Sequence, residues 1–318
     1  MPRTPGAAVT ARAPAKVNLL LEVGPRRDDG YHDIVTVFQA LALAEDVTAE
    51  RAAPGHGTTV RVRPRPGVDA SAVPLDGTNL AVRAARLLAE RTGVPDDVHL
   101  TIDKAVPVAG GMAGGSADAA AALVACDALW QTRLGLTALT ELGAQLGSDV
   151  PFALHGRTAV GTGRGEQLAP VMTTARFSWV FVLAGDGLST PAVYAELDRL
   201  RADRPGRLEE PRLDAVERAL RSGDPLALGA ALDNDLQEAA LSLAPQLVAT
   251  LEAGRAAGAA GAVVSGSGPT VALLATSPAH ARELAAELGR DRPGGAVLVA
   301  DAPAPGARVL EAVRAGGE

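Results

Sequence analysis

The sequence predicts an α+β fold with two hydrophobic cores. Its 318 residues, 47% of them hydrophobic, are long for one core and sufficient for two. Segments with the alternation of β-strands are mixed with segments that have the spacing of helices. The two kinds do not alternate strictly, which favours a mixed α+β arrangement over repeated βαβ units.

The first half of the chain reads as four strands and three helices. The strands are expected over residues 9–24, 34–43, 60–63 and 98–103, and the helices over 79–91, 116–130 and 137–146. The helix at 116–130 is predicted by an alanine-rich run that has almost no helix breakers. The glycine-rich segment 156–165 is expected to end this half. We therefore divide the chain into domains 1–168 and 169–318.

The second half predicts a further sheet with helices. We expect strands at 177–183, 262–264, 271–275 and 296–300, helices at 246–257 and 278–288, and two or three more helices between residues 192 and 232. The arginine-, proline- and glycine-rich segments 201–212 and 289–295 read as loops. A second glycine-rich turn lies at residues 265–270, directly after a predicted strand.

Composition disfavours several classes of function. The net charge of −7 and the pI of about 5.4 oppose binding to nucleic acids and to anionic membranes. The single cysteine, Cys126, can form neither an internal disulfide nor a cysteine-based zinc site. No signal core or membrane-spanning run is recognisable. We expect a soluble cytoplasmic protein.

Lysine is scarce in this chain. Only Lys16 and Lys104 are lysines among 30 basic residues, in a composition typical of GC-rich codon usage. Because arginine replaces ordinary surface lysines under such a bias, a remaining lysine is a candidate for a site that requires a compact ammonium. Chance survival is the alternative interpretation.

Residues 107–118 carry the strongest local signal. Four glycines lie within six residues, after a predicted strand and before the helix expected from Ser116. Glycines allow the backbone to approach a phosphate, and a helix N-terminus offers free N–H groups to it. The Ser116 hydroxyl can cap the helix, or reach a phosphate or Mg²⁺, whereas Asp118 faces either solvent or a metal. The segment matches neither the P-loop nor the dinucleotide-binding pattern.

A catalytic pair is suggested by Lys16 and Asp149. Transfer of a phosphoryl group to an alcohol requires an acceptor for the hydroxyl proton. Asp149 lies in a Gly-Ser-Asp-Val-Pro turn, where an aspartate is usually only a turn residue. Lys16 and Asn18 share one face of a predicted strand, where a buried lysine needs a partner such as a carboxylate.

Four motifs together resemble the 4-diphosphocytidyl-2-C-methylerythritol kinases, a branch of the GHMP kinase superfamily. They are Pro-Ala-Lys-Val-Asn from residue 14 with Gly-Tyr-His at 30–32, the glycine loop at 107–117, Leu-Gly-Ser-Asp-Val-Pro-Phe at 146–152, and Ser-Gly-Ser-Gly-Pro-Thr at 265–270. Each motif is weak alone, but four in the family's order are specific. The Tyr-His pair separates this branch from mevalonate, galactose and homoserine kinases.

The resemblance implies a fold, cofactors and site residues. It implies two domains with the active site in the cleft between them, a last strand that can return to the first domain, and ATP with Mg²⁺. Asp149 is implied as general base for a tertiary C2 hydroxyl, with Lys16 holding it in place. The implied ATP-binding residues are Pro107, Val108, Ala109, Gly110, Gly111, Met112, Ala113, Gly114, Gly115, Ser116, Ala117 and, at the nucleotide entrance, Lys104.

The substrate site follows from the same resemblance. A diphosphocytidyl pocket is expected from Asn18, Tyr31, His32, Thr190 and Tyr194. Within it, His32 is implied to read the cytosine edge, and the two tyrosines to flank the base. The segment 184–187, Ala-Gly-Asp-Gly, departs from the Pro-Gly common in relatives. The assignment of Tyr194 to the pocket depends on the conformation of this loop. The Asn234–Asp235 pair is implied to shape the cleft.

Three alternatives remain open at this point. Another GHMP kinase, acting on homoserine or mevalonate, would share the ATP loop but lack a cytidine pocket. A non-catalytic nucleotide-binding module is disfavoured by the presence of Lys16 and Asp149. A nucleic-acid-binding protein is disfavoured by acidity and scarce aromatic residues. We expect a small-molecule substrate and a monomer or weak homodimer.

Overall fold

The computed structural model describes residues 8–313, except Ala109, Thr174, Gly185, Asp186 and the segments 203–211 and 291–296. The described strands are β1 (Ala8–Arg26), β2 (His32–Arg51), β3 (Thr58–Pro64), β4 (Val98–Lys104), β5 (Thr158–Thr162), β6 (Gln167–Pro170), β7 (Phe177–Val182), β8 (Asp233–Asn234), β9 (Gly261–Val264), β10 (Val271–Ala275), β11 (Val297–Ala302) and β12 (Arg308–Val313). The described helices are α1 (Leu80–Thr92), α2 (Gly114–Trp130), α3 (Leu136–Leu146), α4 (Val150–His155), α5 (Thr190–Ala202), α6 (Leu213–Ser222), α7 (Pro225–Ala231), α8 (Leu236–Leu243), α9 (Gln246–Ala256) and α10 (Pro278–Arg290).

The first sheet is built on a long antiparallel hairpin of β1 and β2. Its order is β12-β1-β2-β4-β3, with β5 pairing β2, β6 pairing β5 and the short β8 pairing β1. Strand β12 comes from the end of the chain, yet it pairs with β1 in the first half. The two halves are therefore linked by main-chain hydrogen bonds as well as by the connecting chain. The division at residue 168 stays a prediction.

Helices α1 and α2 cover the first sheet. Helix α2 packs against β1, β2 and α1. Its alanines at 117, 119–122 and 125 are fully buried, because small side chains allow the helix to lie close to the strands around it. The alanine-rich run therefore predicts this helix correctly, and the reason is tight packing as well as helix propensity.

The second sheet is antiparallel, in the order β11-β7-β10-β9. Strand β7 is buried along its whole length. A shared hydrophobic core joins this sheet to the first one: Val17 and Leu19 of β1 lie in the same cluster as Trp179, Phe181 and Ala272. This packing fixes the two sheets against each other.

The segment 156–165 contains a strand that the sequence did not predict. Residues Thr158–Thr162 form β5, which continues into β6. A Cβ on Gly161 would lie 2.8 Å from Cε2 of Phe38, so this glycine makes room for an aromatic ring instead of breaking the strand. Gly163 and Gly165 have positive φ angles and form the turn that follows.

Other boundaries also differ from the prediction. Helix α2 begins at Gly114 instead of Ser116, and α4 and α8 were not predicted. Most of the expected loops at 201–212 and 289–295 lie outside the described residues. Among the helices described, none is both long enough and apolar enough to cross a membrane.

Candidate active site

A cavity of about 580 Å³ lies between the two halves of the molecule. Its walls come from the middle of β1, the first part of β2, the two glycine-rich segments, and α1, α5 and α8 with the turns before them. The end of β4, the first turns of α2, the turn before α4 and the β5–β6 turn add single residues. The residues used below that line it are Lys16, Asn18, Pro74, Thr78, Asn79, Lys104, Pro107, Val108, Gly110, Gly111, Ala113, Gly114, Gly115, Asp118, Asp149, Arg164, Thr190, Tyr194, Gly266, Ser267 and Gly268.

The two glycine-rich segments both line this cavity and contact each other. Gly111 has φ +70°, and a Cβ there would lie 2.1 Å from the carbonyl oxygen of Ser265. The Ser265 hydroxyl donates to the Gly111 carbonyl at 3.3 Å, and the Lys16 amide donates to the Met112 carbonyl at 3.2 Å. Only glycine satisfies both the backbone angle and the distance at position 111. The loop is thus fixed to β1 and to the second glycine turn.

Most of the predicted loop residues line the cavity, but not all. Pro107, Val108, Gly110 and Gly111 do so, as do residues 113–115. Met112 and Ala117 instead bury their side chains in the hydrophobic cores on either side. Ala109 lies outside the described residues.

Helix α2 begins with a left-handed residue and no side-chain cap. Ala113 precedes the helix with φ 59°, and no side chain bonds to the first turn. Ser116 was expected either to cap the helix or to reach a phosphate or Mg²⁺. It lies within the first turn and is therefore not the cap. The residue is partly exposed, and its hydroxyl makes no hydrogen bond within the described part of the chain. Free N–H groups at a helix start bind anions.

Lys104 lies beneath the loop rather than at the entrance to the nucleotide site. Its side chain is only 2% exposed, and its ammonium lies 2.8 Å from Glu45 and 2.6 Å from Asp118. A Cβ on Gly114 would approach that ammonium to 3.1 Å. The expectation of an entrance position is wrong because two buried carboxylates hold the ammonium under the first turn of α2. Asp118 faces this ammonium, not solvent.

The buried cluster of Glu45, Lys104 and Asp118 holds two carboxylates against one ammonium. Burial and the nearby Asp118 charge raise the pKa of Glu45 to about 7. Burial also raises the pKa of Asp118, although Lys104 opposes the shift. Burial alone would lower the pKa of Lys104, but the two carboxylates together raise it. The Glu45 carboxylate also accepts from the amides of Ala105 and Val106, so it fixes the chain where β4 leads into the loop.

Lys16 has Asn18 as its nearest polar partner, not Asp149. Its ammonium donates to Oδ1 of Asn18 at 2.7 Å and lies 4.0 Å from Oδ2 of Asp149. It also lies 5.7 Å from the centre of the Phe38 ring. Burial lowers the pKa of Lys16, and the Asp149 charge partly opposes this.

The Lys16 contact to Asn18 belongs to a buried relay. Asn18 donates to the Thr36 hydroxyl, which donates to the carbonyl of Leu20. Thus Asn18 orients the ammonium with its amide oxygen, and its own position is fixed by Thr36. Asp149 remains 32% exposed at the cavity wall, where a hydroxyl group of a ligand can reach it.

The second glycine turn is positioned by Asn234, as the implied cleft-shaping pair suggests. The Asn234 amide donates to the carbonyls of Val264 and Gly266 at 2.8 and 2.7 Å. A Cβ on Gly266 would lie 3.3 Å from the Lys16 ammonium. On the same turn, the Ser267 hydroxyl is 2.8 Å from that of Thr190, which joins the start of α5 to the turn.

The predicted substrate residues fall into separate contacts: Asn18 bonds to Lys16, Thr190 to Ser267, and the aromatic residues contact one another or Arg164. The His32 ring lies 5.1 Å from the Tyr194 ring, and burial with the Asp149 charge raises the pKa of Tyr194 to about 12. Tyr31 is 57% exposed, and the Arg164 guanidinium lies 5.6 Å from its ring centre. Tyr194 and Arg164 line the cavity, whereas Tyr31 and His32 contact these two residues without being among the described residues that line it.

The sequence prediction missed one end of the cavity. Pro74, Thr78 and Asn79 line it, on the turn before α1. Asn79 caps α1 by accepting from the Ala81 amide and holds the turn by donating to the Pro74 carbonyl. Its rarity, one of three asparagines in the chain, was the available signal. Arg164 and Glu45 were also missed, because nothing in the local sequence distinguishes them from the other charged residues.

Family models of known proteins match a segment in each half of the chain. Residues 79–157 match the GHMP kinases N terminal domain, and residues 216–293 match the GHMP kinases C terminal domain. A homoserine kinase from Cytophaga hutchinsonii superimposes with a TM-score of 0.76 over 98% of this chain and 99% of its own, at 17% identity. At that identity the likeness shows the fold alone. The predicted α+β two-domain GHMP kinase fold is confirmed.

Relatives with higher identity narrow the family. A 4-diphosphocytidyl-2-C-methyl-D-erythritol kinase from Kineococcus radiotolerans is 68% identical over 282 residues, which are 89% of this chain and 86% of that protein. A crystal structure of 4-(cytidine 5'-diphospho)-2C-methyl-D-erythritol kinase superimposes with a TM-score of 0.74 at 33% identity, covering 93% of this chain and 99% of that one. The chain therefore belongs to the 4-diphosphocytidyl-2-C-methyl-D-erythritol kinase family of GHMP kinases.

Proposed function

We propose that this kinase transfers the γ-phosphoryl group of ATP to the C2 hydroxyl of 4-diphosphocytidyl-2-C-methyl-D-erythritol, giving the 2-phosphate used in isoprenoid precursor synthesis. The observation that carries the proposal is a single cleft that combines a glycine phosphate loop, the Lys16–Asp149 pair and Tyr194, whose ring packs on His32. The 68% identity to a relative of that name supports the choice of substrate.

In the proposed complex ATP spans the first half of the cleft. Its base and ribose occupy the end formed by Pro74, Thr78 and Asn79, which is partly apolar and offers main-chain groups. Its triphosphate lies on the loop at residues 110–115, where the N-terminus of α2 favours negative charge. Lys104 contributes from beneath, by placing a positive charge under that first turn.

Mg²⁺ fits this site as an ion that accompanies the triphosphate. The described residues contain no group of three or more His, Cys, Asp or Glu side chains placed to hold a metal. Mg²⁺ in kinase sites is bound mainly by phosphate oxygens, water and one or two protein oxygens. The unpartnered Ser116 hydroxyl would be one of those oxygens. When bound, the ion neutralises charge that develops on the phosphate oxygens.

The chemical step uses Asp149 and Lys16. The C2 hydroxyl donates its proton to the Asp149 carboxylate while its oxygen bonds to the γ-phosphorus, and the bond from that phosphorus to the β-phosphate oxygen breaks to release ADP. The Lys16 ammonium, oriented by Asn18, stabilises the negative charge between the attacking oxygen and the phosphoryl group. Its buried position strengthens that interaction because water does not screen it.

The diphosphocytidyl end occupies the outer cleft. The base lies against the rings of Tyr31 and Tyr194, with His32 at its edge and Asn18 and Thr190 toward the alcohol. Arg164 is suited to the diphosphate, because it is an exposed cation that lines the cavity beside Tyr31. Gly185 and Asp186, in the segment that departs from relatives, lie outside the described residues, so the assignment of Tyr194 depends on α5 itself.

The wider context of the enzyme is part of the same proposal. All the residues named belong to one chain, so a monomer or weak homodimer suffices for activity. We assign the reaction to the cytoplasm, where ATP and a small anionic substrate are available, without a nucleic-acid or membrane partner. The domain division near residue 168 is retained, with β12 as part of the first sheet.

Release of ADP with different alcohols tests the proposal. Purified protein with ATP and Mg²⁺ should release ADP with 4-diphosphocytidyl-2-C-methyl-D-erythritol and not with homoserine or mevalonate. Turnover with homoserine or mevalonate alone would assign the chain to another GHMP kinase activity. ATP binding without turnover on any of the three would favour a non-catalytic nucleotide-binding protein.

A further inference from the structure

His32 is held by a residue to which nothing above assigns a role. Its Nε2 lies 2.8 Å from Oδ1 of Asp198, and its side chain is only 4% exposed. Asp198 belongs to α5, one helical turn after Tyr194, whose ring packs on His32. A single helix therefore supplies both the ring against the imidazole and the carboxylate at one of its nitrogens.

The chemistry of this contact fixes the position of a proton. An ionised carboxylate only accepts hydrogen bonds, so Nε2 of His32 must carry the hydrogen. In a neutral imidazole the other nitrogen, Nδ1, then has a free lone pair and acts as an acceptor. No hydrogen bond to Nδ1 occurs among the described residues. A fully buried Nδ1 would therefore be a buried polar atom without a partner. Among the described residues the only such side-chain atom is Oδ1 of Asp118, so Nδ1 of His32 is accessible.

An acceptor at this place distinguishes the two common pyrimidines. Cytosine presents an amino group at C4, which donates hydrogen bonds, whereas uracil presents a carbonyl oxygen there, which accepts them. As an acceptor, Nδ1 can receive a hydrogen bond from the amino group of cytosine. Against uracil, its lone pair would face the lone pairs of the carbonyl oxygen, and no hydrogen bond could form.

From this geometry we infer that Asp198 is a positioning residue that keeps His32 in the Nε2–H form and thereby makes the site select cytosine over uracil. The inference rests on the proposed function, since it takes a diphosphocytidyl compound as ligand. Asp198 itself does not touch the ligand. A purely structural Asp198 would support the fold without setting the hydrogen-bonding character of His32.

Two measurements at pH 8, where an ordinary imidazole is neutral, test the inference. The first is binding of CDP and UDP by calorimetry with the ATP site filled by a non-hydrolysable ATP analogue. Wild-type protein should prefer CDP, and Asp198→Ala should reduce that preference by about ten-fold or more, the size of a lost hydrogen-bond match. Asp214→Ala removes an exposed carboxylate of α6 and should leave the preference unchanged.

The second measurement is long-range ¹H–¹⁵N NMR of the histidine rings, with His32 assigned from its loss in His32→Gln. Wild-type His32 should show a protonated Nε2 and an unprotonated Nδ1, and Asp198→Ala should show a mixture of the two tautomers. Thermal unfolding verifies that the variant is folded. A protonated Nδ1 in the wild type, or an unchanged CDP preference in folded Asp198→Ala, would overturn the inference.

The two proposals fail in different ways. Selective CDP binding by a protein that phosphorylates no diphosphocytidyl alcohol would overturn the proposed function and support the role of Asp198. Turnover of the diphosphocytidyl alcohol together with equal binding of CDP and UDP would support the proposed function and overturn the role of Asp198.

Discussion

The Lys16 ammonium lies 4.0 Å from the Asp149 carboxylate and 2.7 Å from the amide oxygen of Asn18. The ammonium is thus held firmly by a neutral partner and loosely by the charged one. A tight ion pair would occupy both charges, whereas this arrangement leaves a carboxylate oxygen and an N–H free to engage a hydroxyl and a phosphate. The spacing between these groups is the basis of the mechanism proposed above.

Asp149→Asn should lower kcat strongly and leave ATP binding nearly intact. The amide cannot accept the hydroxyl proton, and general base catalysis contributes about 10²–10⁴-fold. Steady-state ADP release and calorimetric ATP binding measure the two effects. The control is Glu141→Gln, an exposed change on α3, which should behave as wild type. A folded Asp149→Asn enzyme with full turnover would remove Asp149 from the chemical step.

Gly111→Ala should abolish ATP binding and destabilise the fold. The added Cβ would meet the Ser265 carbonyl oxygen at 2.1 Å, at a backbone φ of +70°, so the two glycine segments must separate. The expected loss of unfolding free energy is about 2–4 kcal/mol. Gly289→Ala on α10 is the matched control, since no atom lies within 4 Å of its added Cβ. Chemical denaturation measures the unfolding free energy, and titration measures ATP binding. If Gly111→Ala resembled wild type in both, as the control should, the loop assignment would be contradicted.

Arg164→Ala should raise KM for the diphosphocytidyl substrate by about ten-fold and leave KM for ATP unchanged, because a charge-assisted hydrogen bond to the diphosphate is lost. In this variant, KM for the diphosphocytidyl substrate should also depend less on salt concentration, because one exposed charge contact has been removed. Arg221→Ala, an exposed change on α6, serves as control. Equal effects on both substrates would place Arg164 outside the diphosphate site.

Glu45→Gln should change how stability depends on pH. The pKa of Glu45 is raised from 4.5 to about 7 in the folded protein, chiefly by burial, so the folded state retains a proton that the unfolded state has lost between these values. The stability that this proton provides is present below about pH 4.5 and is lost as pH rises through about 7.

The wild-type protein should therefore lose roughly 2 kcal/mol of stability between pH 5 and pH 8 relative to Glu45→Gln. Denaturant unfolding of both proteins across this range measures the difference. Parallel pH profiles for the two proteins would show that Glu45 stays ionised throughout. The buried Lys104 would then balance only one of two charged carboxylates.

The sequence predicted the elements whose pattern is local. The strand around Lys16, the alanine-rich α2 and both glycine motifs were recognisable because backbone angle, periodicity and composition agree there. The strand within segment 156–165 was not predicted, because Gly161 makes room for the Phe38 ring, which is more than a hundred residues away in sequence, on β2. Glycine composition alone does not distinguish that role from a linker.

The candidate site was predicted unevenly for the same reason. Lys16, Asp149 and the loop carry motif signals, so they could be named. The partners Glu45, Asp198 and Arg164 come from β2, α5 and the β5–β6 turn, and only the fold brings them to the cleft. The position of Lys104 was wrong because its burial depends on Glu45 and Asp118, which no local pattern pairs with it.

A ³¹P NMR time course of the reaction with ATP, Mg²⁺ and 4-diphosphocytidyl-2-C-methyl-D-erythritol tests the central claim most directly. We predict that ADP and one new phosphomonoester signal accumulate together while the diphosphate signals of the substrate persist. Because C2 carries no hydrogen, that signal should show no splitting by a carbinol proton. A split signal would place the phosphate on another hydroxyl, and formation of ADP without a new monoester would contradict phosphoryl transfer to this alcohol.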